Sequence, residues 1–180
     1  MSAAERIAEN LAAIRQRIEQ AAARSGRSAS EIRLVAVTKY VDASISALVV
    51  GAGCRDLGES RPQQLWEKAT HEELRSARWH MIGHLQRNKV RRTLPLVELI
   101  HSVDSLRLAT AINDEAVQLG HPAHVLLEVN CSGDQAKHGL SPQGSILDHL
   151  AMAMSHDVEV AIREGATIVR VGSLLFEGLR

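Results

Sequence analysis

The side chain with the clearest chemical potential is Lys39, which ends the apolar run from Leu34 to Thr38. Such a run is typical of a β-strand buried on both faces of a parallel sheet. At the C-terminal end of a parallel barrel strand, a desolvated lysine can lose its proton and act as an amine nucleophile. An amine of this kind forms a Schiff base with an aldehyde, and pyridoxal phosphate (PLP) is the commonest aldehyde cofactor held in this way. From this segment alone, we favour the simpler interpretation of a lysine that marks where a strand meets water.

A second candidate site follows the last two predicted strands. Arg170 alternates with apolar neighbours in its strand, so its buried guanidinium needs a partner or a ligand. The Gly172-Ser173 pair lets backbone N–H groups approach an anion, and Met154-Ser155 precedes the N-terminus of a predicted helix, which is another anion site. An ion pair, a packing glycine and a helix cap would explain each feature separately. Together with Lys39, they favour a ligand that is a phosphorylated aldehyde, because phosphate sites in βα barrels commonly use the last two loops.

Composition excludes several classes of function. The chain has 180 residues, 45% of them hydrophobic, and 21 basic residues balance 21 acidic ones, so there is no electrostatic footprint for nucleic acid or an anionic membrane. Aromatic residues amount to 2%, too few for a base-stacking platform. We find no transmembrane stretch and no signal peptide, and Cys54 and Cys131 form no metal or redox motif. A cytoplasmic protein is expected.

Alternating strand and helix patterns predict an α/β fold in which nearly all strands are parallel. We predict seven strands, at residues 34–39, 55–58, 79–83, 99–103, 125–129, 150–154 and 167–172. Helices are predicted over residues 3–25, 42–51, 62–75, 86–92, 105–119 and 157–164. Residues 1–180 are interpreted as one domain. A TIM-type βα barrel usually needs roughly 250 residues, so this chain is short for a complete one.

Several segments, in order along the chain, resemble the pyridoxal phosphate homeostasis protein family. They are Leu34–Lys39, Arg55–Glu59, Trp79–Lys89, Ile100–Ser105, Val129-Asn130, Lys137–Gly139, Met154–Asp157 and Gly165–Gly172. The stretch Trp79–Lys89, which reads WH-x-IGHLQ-x-NK, is the most specific of them.

The resemblance implies a parallel βα barrel of the TIM type, like the N-terminal domain of alanine racemase, that holds PLP through Lys39. It also implies that the phosphate binds at Ser155, Gly172 and Ser173, and that Arg170 faces the pyridine nitrogen. The expected cofactor-binding residues further include Met154, Ser60 and His80.

The same resemblance implies a carrier and regulator of PLP with no dedicated reaction. A permanently charged Arg170 keeps the pyridine nitrogen unprotonated, which weakens the ring as an electron sink. The protein would bind PLP reversibly at Lys39 and pass it to PLP-dependent apoenzymes. We expect a monomer with no catalytic residue, no metal, no nucleic acid and no membrane among its partners.

Two departures from the family pattern are present. The family usually has Gly-Glu-Asn where this chain has Gly58-Glu59-Ser60, so a contact to the cofactor ring is lost or bridged by water. Between Ser141 and Leu150 the chain lacks a helix, a strand and a further helix that the family carries. We therefore predict an incomplete barrel that lacks about one strand with its flanking helices. The strand at 125–129 would then either meet the strand at 150–154 directly or leave an open gap. Unpaired strand edges at such a gap would invite aggregation or pairing with another chain.

The main alternative is a PLP-dependent enzyme such as an amino-acid racemase. That chemistry needs a second acid–base group on the opposite face of the cofactor. The racemases supply a tyrosine from an additional domain, and no such domain is expected after Arg180. The single tyrosine, Tyr40, is next to Lys39 and is not expected to reach across the ring.

Two further alternatives have weaker support. A metal-dependent hydrolase could use His80 and His84, but these residues lie in a strand and loop, so the i, i+4 ligand geometry of a helix is unavailable. We interpret His80, His84 and His101 as buried hydrogen-bonding side chains near strand ends. Nucleic-acid binding could use the basic run from Arg87 to Arg92, but such a run is more often a solvated helix face. A surface for a protein partner and a surface for a second cofactor molecule are the other interpretations of this run.

Overall fold

Six parallel β-strands form one curled sheet in this computed structural model, which describes residues 1–129, 151 and 157–179. The strands are β1 (Arg33–Val37), β2 (Asp56–Glu59), β3 (Arg78–Met81), β4 (Val97–Val103), β5 (Val125–Leu127) and β6 (Ile168–Val171). They lie in the order β5-β4-β3-β2-β1-β6, so the first strand lies between the second and the sixth. This arrangement is a parallel half-barrel, and it confirms the predicted incomplete βα barrel.

Helices connect the strands and cover the outer face of the sheet. They are α1 (Ala3–Arg24), α2 (Ala43–Gly51), α3 (Pro62–Lys68), α4 (Val90–Thr93), α5 (Leu106–Leu119) and α6 (Val158–Arg163). The longest, α1, begins with a capping box in which the Ser2 hydroxyl accepts from the Glu5 N–H and the Glu5 carboxylate accepts from the Ser2 N–H. Its buried side chains Ile7, Leu11 and Ile14 recur at helical spacing, which packs one face of the helix into the core.

The two faces of the sheet contribute to different clusters because side chains alternate along a strand. Ala36 and Leu57 belong to the large core between the sheet and the helices. Val35 belongs instead to a small inner cluster with Leu99 and Ile168. The concave face of the half-barrel is therefore the side on which Val35 lies, and residues at alternate positions from it face the same interior.

Each of the six predicted strands that falls within the described residues is observed, and the bounds differ by at most two residues at either end. The seventh, predicted at 150–154, lies outside the described residues except for Ala151. Ala151 forms a parallel bridge with Ile168, which extends the sheet beyond β6. Among the helices in the described part of the chain, none has the length and apolarity needed to cross a bilayer.

The helix predicted over residues 62–75 is wrong in its second half. α3 ends at Lys68, and a separate 3₁₀ turn follows at Glu72–Leu74. The hydroxyl and the N–H of Thr70 both donate to the Glu67 carbonyl oxygen, at 2.7 and 3.1 Å, so local hydrogen bonds compete with continuation of the helix. The segment predicted as helical over 86–92 is likewise divided into a 3₁₀ turn, Arg87–Lys89, and the short α4.

Candidate cofactor-binding site

Lys39 is the second residue of a tight turn that follows β1. The Val41 N–H donates to the Thr38 carbonyl oxygen at 3.1 Å and closes this turn. Lys39 is half-buried, so its amine is not as desolvated as the sequence predicted. Its Nζ lies 4.8 Å from the ring centroid of Tyr40, a residue that is 87% exposed. The amine therefore lies at the C-terminal mouth of the half-barrel, where a ligand from solvent can reach it.

A cavity of about 510 Å³ opens beside Lys39. Its polar lining consists mainly of Lys39, Ser60, Arg61, Gln64, Lys68 and His71. The structure thus brings two of the predicted cofactor-binding residues, Lys39 and Ser60, to one opening. Ser60, the position at which the resemblance predicts an asparagine, therefore lies at this opening.

The end of β2 approaches the segment after β3 very closely. A Cβ built at Gly83 would lie 2.8 Å from the Ser60 Cα and closer still to the Ser60 carbonyl oxygen. Only a residue without a side chain allows this approach. Gly83 therefore fixes where Ser60 lies relative to the neighbouring strand.

A polar cluster lies directly behind the Lys39 turn. The Lys68 Nζ is 2.5 Å from the Glu59 Oε1 and donates to the Thr38 carbonyl oxygen at 2.8 Å. The Thr38 hydroxyl donates to the same Glu59 oxygen at 2.9 Å. Thr38 and Glu59 are fully buried and Lys68 is 6% exposed. Sequence analysis missed this cluster because Lys68 was interpreted only as part of a helix.

Arg170 faces the interior from β6. It is the register partner of Val35, so it lies on the concave side, as predicted. Burial lowers the pKa of its guanidinium, and the nearby Glu128 partly opposes this effect. Within the described part of the chain, no hydrogen bond or close ion pair of the Arg170 side chain accompanies this attraction to Glu128. A half-buried guanidinium whose N–H groups make no hydrogen bond to the described residues can donate them to a ligand.

The predicted phosphate-binding residues are only partly described. Gly172 follows β6, and a Cβ built there would lie 3.3 Å from the Val37 Cβ and 3.6 Å from the Val37 carbonyl oxygen. Ser173 comes next and is exposed. The chain therefore approaches β1 closely at Gly172, on the strand that leads to Lys39. Met154 and Ser155 lie outside the described residues.

His80 is the centre of a buried chain of side chains in the barrel interior. Its Nε2 is 3.0 Å from the Asp56 Oδ1 and its Nδ1 is 2.9 Å from the His101 Nε2. Arg78 also pairs with Asp56. His80 is fully buried and His101 is 6% exposed. The prediction that His80 contacts a cofactor is not tested by this geometry, but the ring already uses both nitrogens within the protein.

The two side chains that contact His80, Asp56 and His101, differ in their electrostatics. Burial lowers the pKa of His101 to about 3, and the charges of His80, Arg170 and Arg33 add to this effect, so His101 is neutral. Burial raises the pKa of Asp56, but hydrogen bonds from His80 and Arg78 outweigh it and the net pKa lies below the usual value. The Nδ1 atom of His101 is buried without a hydrogen-bond partner among the described residues.

His84 is exposed on its ring and lies 3.1 Å from Asp104 rather than in the interior, so the prediction that it is buried is wrong. In the described ranges, no group of three or more His, Cys, Asp or Glu side chains is arranged to hold a metal ion. Cys54 is buried, which raises the pKa of its thiol to about 11, whereas Cys131 lies outside the described residues. In the basic run, Arg92 stacks 4.2 Å from the Trp66 ring centroid.

The arrangement fits a phosphorylated aldehyde. A reachable amine at Lys39 can attack a carbonyl carbon. Arg170 supplies a guanidinium that no described side chain uses, on the strand next to β1. Gly172 lets the backbone after β6 lie close to Val37, at the end of the strand that leads to Lys39. The His101 Nδ1 is a further buried polar atom in need of a partner.

Fold and site together define the class of protein. Residues 9–160 match the family model described as alanine racemase, N-terminal domain, and the chain belongs to that family. Within this class it belongs to the pyridoxal phosphate homeostasis proteins. It is 31% identical to the protein of that name from Aquifex aeolicus, over 93% of this chain and 96% of the relative. It is 32% identical to the one from Escherichia coli K12, over 94% and 95% of the two chains.

The alignment lengths bear on the predicted missing segment. The alignment with the Aquifex protein is 219 positions long, although this chain has 180 residues. Gaps on the side of this chain must account for the difference. This chain is therefore shorter than its relative within the aligned region, as the predicted loss of one strand and its flanking helices requires.

Solved structures share the fold. A crystal structure of a protein from Bifidobacterium adolescentis has a TM-score of 0.87 and 31% identity, over 96% of this chain and 95% of the other. PipY of Synechococcus elongatus, solved with PLP bound, has a TM-score of 0.78 and 28% identity, over 94% and 99% of the chains. An alanine racemase from Clostridium difficile, at 15% identity and a TM-score of 0.57, matches in fold alone, over 93% of this chain and 40% of the enzyme.

Proposed function

We propose that this chain binds PLP covalently at Lys39 and serves in PLP homeostasis. The observation that carries the proposal is the pairing of β1 with β6, which puts the strand leading to Lys39 beside Arg170 and Gly172. Family membership supports it, since the curated relatives are named for PLP homeostasis and PipY was solved with PLP bound. Residues 1–180 would act as one cofactor-binding unit.

Each residue of the site has a separate task. The neutral Lys39 amine would hold PLP by forming a carbon–nitrogen double bond to the aldehyde carbon, and the carbonyl oxygen would leave as water with both protons of the amine. Backbone N–H groups at Gly172 and Ser173 would bind the phosphate, and Ser155 and Met154 are proposed to complete that site. Arg170 would point at the pyridine nitrogen, with Ser60 and His80 near the ring.

The bound state is proposed to be a store and not a catalyst. When bound, PLP supplies an electron sink whose strength depends on protonation of its pyridine nitrogen. A guanidinium at Arg170 disfavours that protonation, because two adjacent positive charges repel. Tyr40 lies against the Lys39 amine, which does not favour an acid–base role on the opposite face. We propose a monomer that releases PLP to apoenzymes in the cytoplasm.

Borohydride reduction tests this function directly. The chain has four lysines, Lys39, Lys68, Lys89 and Lys137, so peptide mass mapping after reduction with PLP assigns the label without ambiguity. We expect label at Lys39 and none in the Lys39→Ala variant, while Lys89→Ala, a change in the basic run, retains it. Label spread over the other three lysines, or none at all, would contradict the proposal. Racemisation of alanine well above the rate of free PLP would contradict the non-catalytic part of it.

A further inference from the structure

The buried cluster of Lys68, Glu59 and Thr38 lies on the helix-covered side of the sheet, immediately behind Lys39. Thr38 is the residue before Lys39, and its carbonyl oxygen accepts two hydrogen bonds. One comes from the Val41 N–H at 3.1 Å and closes the turn that contains Lys39. The other comes from the Lys68 Nζ at 2.8 Å. Lys68, which is not part of the turn, therefore anchors the first carbonyl oxygen of the turn through a hydrogen bond.

Glu59 ties the same turn to the neighbouring strand. Its Oε1 accepts from both the Lys68 ammonium, at 2.5 Å, and the Thr38 hydroxyl, at 2.9 Å. The backbone N–H of Thr38 donates in addition to the Gly58 carbonyl oxygen at 3.0 Å. Ser60, which lines the cavity beside Lys39, directly follows Glu59. One charged pair thus fixes the end of β1, which leads to Lys39, relative to the end of β2, which leads to Ser60.

We propose that Lys68 and Glu59 are positioning residues for Lys39, which hold its turn in the geometry that favours capture and retention of PLP. The inference rests on the proposed function, and neither residue is required to touch the cofactor. Their effect passes through Thr38 and the turn. It predicts that PLP affinity depends on a buried pair that anchors the Lys39 turn, one member of which, Lys68, also lines the cavity beside Lys39.

Stability alone does not account for this pair. A buried ion pair is often no more stabilising than apolar side chains of similar volume, because both charges must be desolvated. The second oxygen of Glu59, Oε2, is buried with no partner among the described residues, which adds to the cost. An apolar pair would fill the same space, but it would leave the Thr38 carbonyl oxygen without its Lys68 donor. The feature that only the charged pair provides is the anchor on the Lys39 turn.

The test removes both charges together, since a single change would strand a buried charge and could unfold the chain. Lys68→Met combined with Glu59→Met keeps similar side-chain lengths. The matched control is Arg17→Met with Glu159→Met, which removes another ion pair between elements, at 2.6 Å, on α1 and α6. For each protein we would measure the apparent Kd for PLP from the absorbance of the lysine adduct, the rate of PLP transfer to an apoenzyme, and the thermal unfolding midpoint.

We expect the Lys68/Glu59 double variant to bind PLP about tenfold more weakly and to release it faster, because small errors in the position of a reacting group are costly. The binding would be measured well below the unfolding midpoint, so loss of stability cannot explain it. The control pair should bind like the parent. An apparent Kd for the double variant equal to that of the parent would overturn the proposal.

A second pair of variants tests the path through Thr38 while the charged pair stays in place. Thr38→Ser keeps the hydroxyl that donates to Glu59, whereas Thr38→Val has the same shape as threonine but no hydroxyl. We expect Thr38→Val to bind PLP more weakly than the parent and Thr38→Ser to bind it nearly as well as the parent. Equal binding by the two variants would contradict the role of Thr38.

Failure of this inference can be told from failure of the proposed function. If the parent chain takes no borohydride-fixed label at Lys39, the proposed function is wrong and the inference is overturned with it. If the parent is labelled at Lys39 and the Lys68/Glu59 double variant binds PLP equally well, only the positioning role is wrong.

Discussion

Val35 on β1 and Arg170 on β6 are register partners in adjacent parallel strands, so residues from opposite ends of the chain lie side by side. Because the two strands are parallel, their carboxyl ends lie at the same edge of the sheet. Lys39 and Gly172 each follow their strand by one or two residues and therefore lie at that shared edge. The candidate site therefore combines residues that follow the first strand with residues that follow the last one.

Arg170→Met should weaken PLP binding without lowering the stability of the fold. The Arg170 guanidinium is half-buried, only the attraction of Glu128 opposes the lowering of its pKa by burial, and its removal should therefore leave the unfolding midpoint unchanged or higher. The same change should weaken PLP binding about tenfold or more, since hydrogen bonds to charged groups contribute about 1.5–3 kcal/mol. Arg163→Met, an exposed change on α6, is the control. A lower unfolding midpoint with normal binding would mean that Arg170 has a structural role.

Gly172→Ala should disturb the contact between the end of β6 and β1. The added Cβ would lie 3.3 Å from the Val37 Cβ, and we expect a loss of about 1–3 kcal/mol in the free energy of unfolding, with weaker PLP binding. Gly51→Ala is the matched control, because a Cβ at Gly51 meets nothing within 4 Å. Denaturant unfolding and PLP titration of both variants measure the two effects. Equal results for the two positions would contradict a close approach at Gly172.

Gly83→Ala should be the more damaging glycine substitution. Its Cβ would meet the Ser60 backbone, with 2.8 Å to the Ser60 Cα, and backbone cannot move aside as a flexible side chain can. We expect a loss of about 3 kcal/mol or more in the free energy of unfolding, at or beyond the upper end of overpacking costs. Denaturant unfolding measures this loss. A free energy within error of the parent would show that the β2 and β3 ends are not so closely packed.

His101 should make the fold less stable in mild acid. Its pKa is lowered from 6.5 to about 3 in the folded chain, so below about pH 6.5 the unfolded chain binds a proton that the folded chain does not. Stability should fall as the pH is lowered from about 6.5 towards 4, by at most about 1.4 kcal/mol per pH unit from this group.

Urea unfolding at several pH values measures that slope. His101→Gln should reduce it, whereas His121→Gln, a change at an exposed loop residue, should leave it as in the parent. The contribution of Asp56 has the same sign but a more acidic window, because its folded pKa lies below the usual value and its stabilisation is lost only as the pH falls through that pKa. An unchanged slope in His101→Gln would show that His101 is not a buried neutral side chain.

The residues that sequence analysis located correctly are those whose position follows from a strand end. The apolar run before Lys39 and the alternation around Arg170 both specify a strand and a face, and the barrel topology then makes the first strand a neighbour of the last. Capping by Asp42 was also predictable, since its carboxylate accepts from the Ile45 N–H at 2.9 Å at the start of α2.

The polar contacts around the site were not predictable in the same way. Lys68 is a helix residue with nothing local to indicate burial, yet it contacts Glu59 at the end of β2 and Thr38 directly after β1. Asp56 and His80 share a face by alternation, but their contact depends on the register of β2 against β3. That register places Gly58 opposite His80, and it brings the Asp56 carboxylate within 3.0 Å of the His80 ring.

The sequence by itself determined the order of the strands, the position of Lys39 after β1 and the inward face of Arg170 on β6, because these depend on local periodicity and residue type. Only the tertiary structure decided that Lys39 is half-buried, that burial and the nearby Glu128 act on Arg170 in opposite directions, and that a buried Lys68–Glu59 pair is hydrogen-bonded to the turn. The physical reason is that burial and pairing depend on which distant side chains the sheet register brings together, and that information is not present in any single segment.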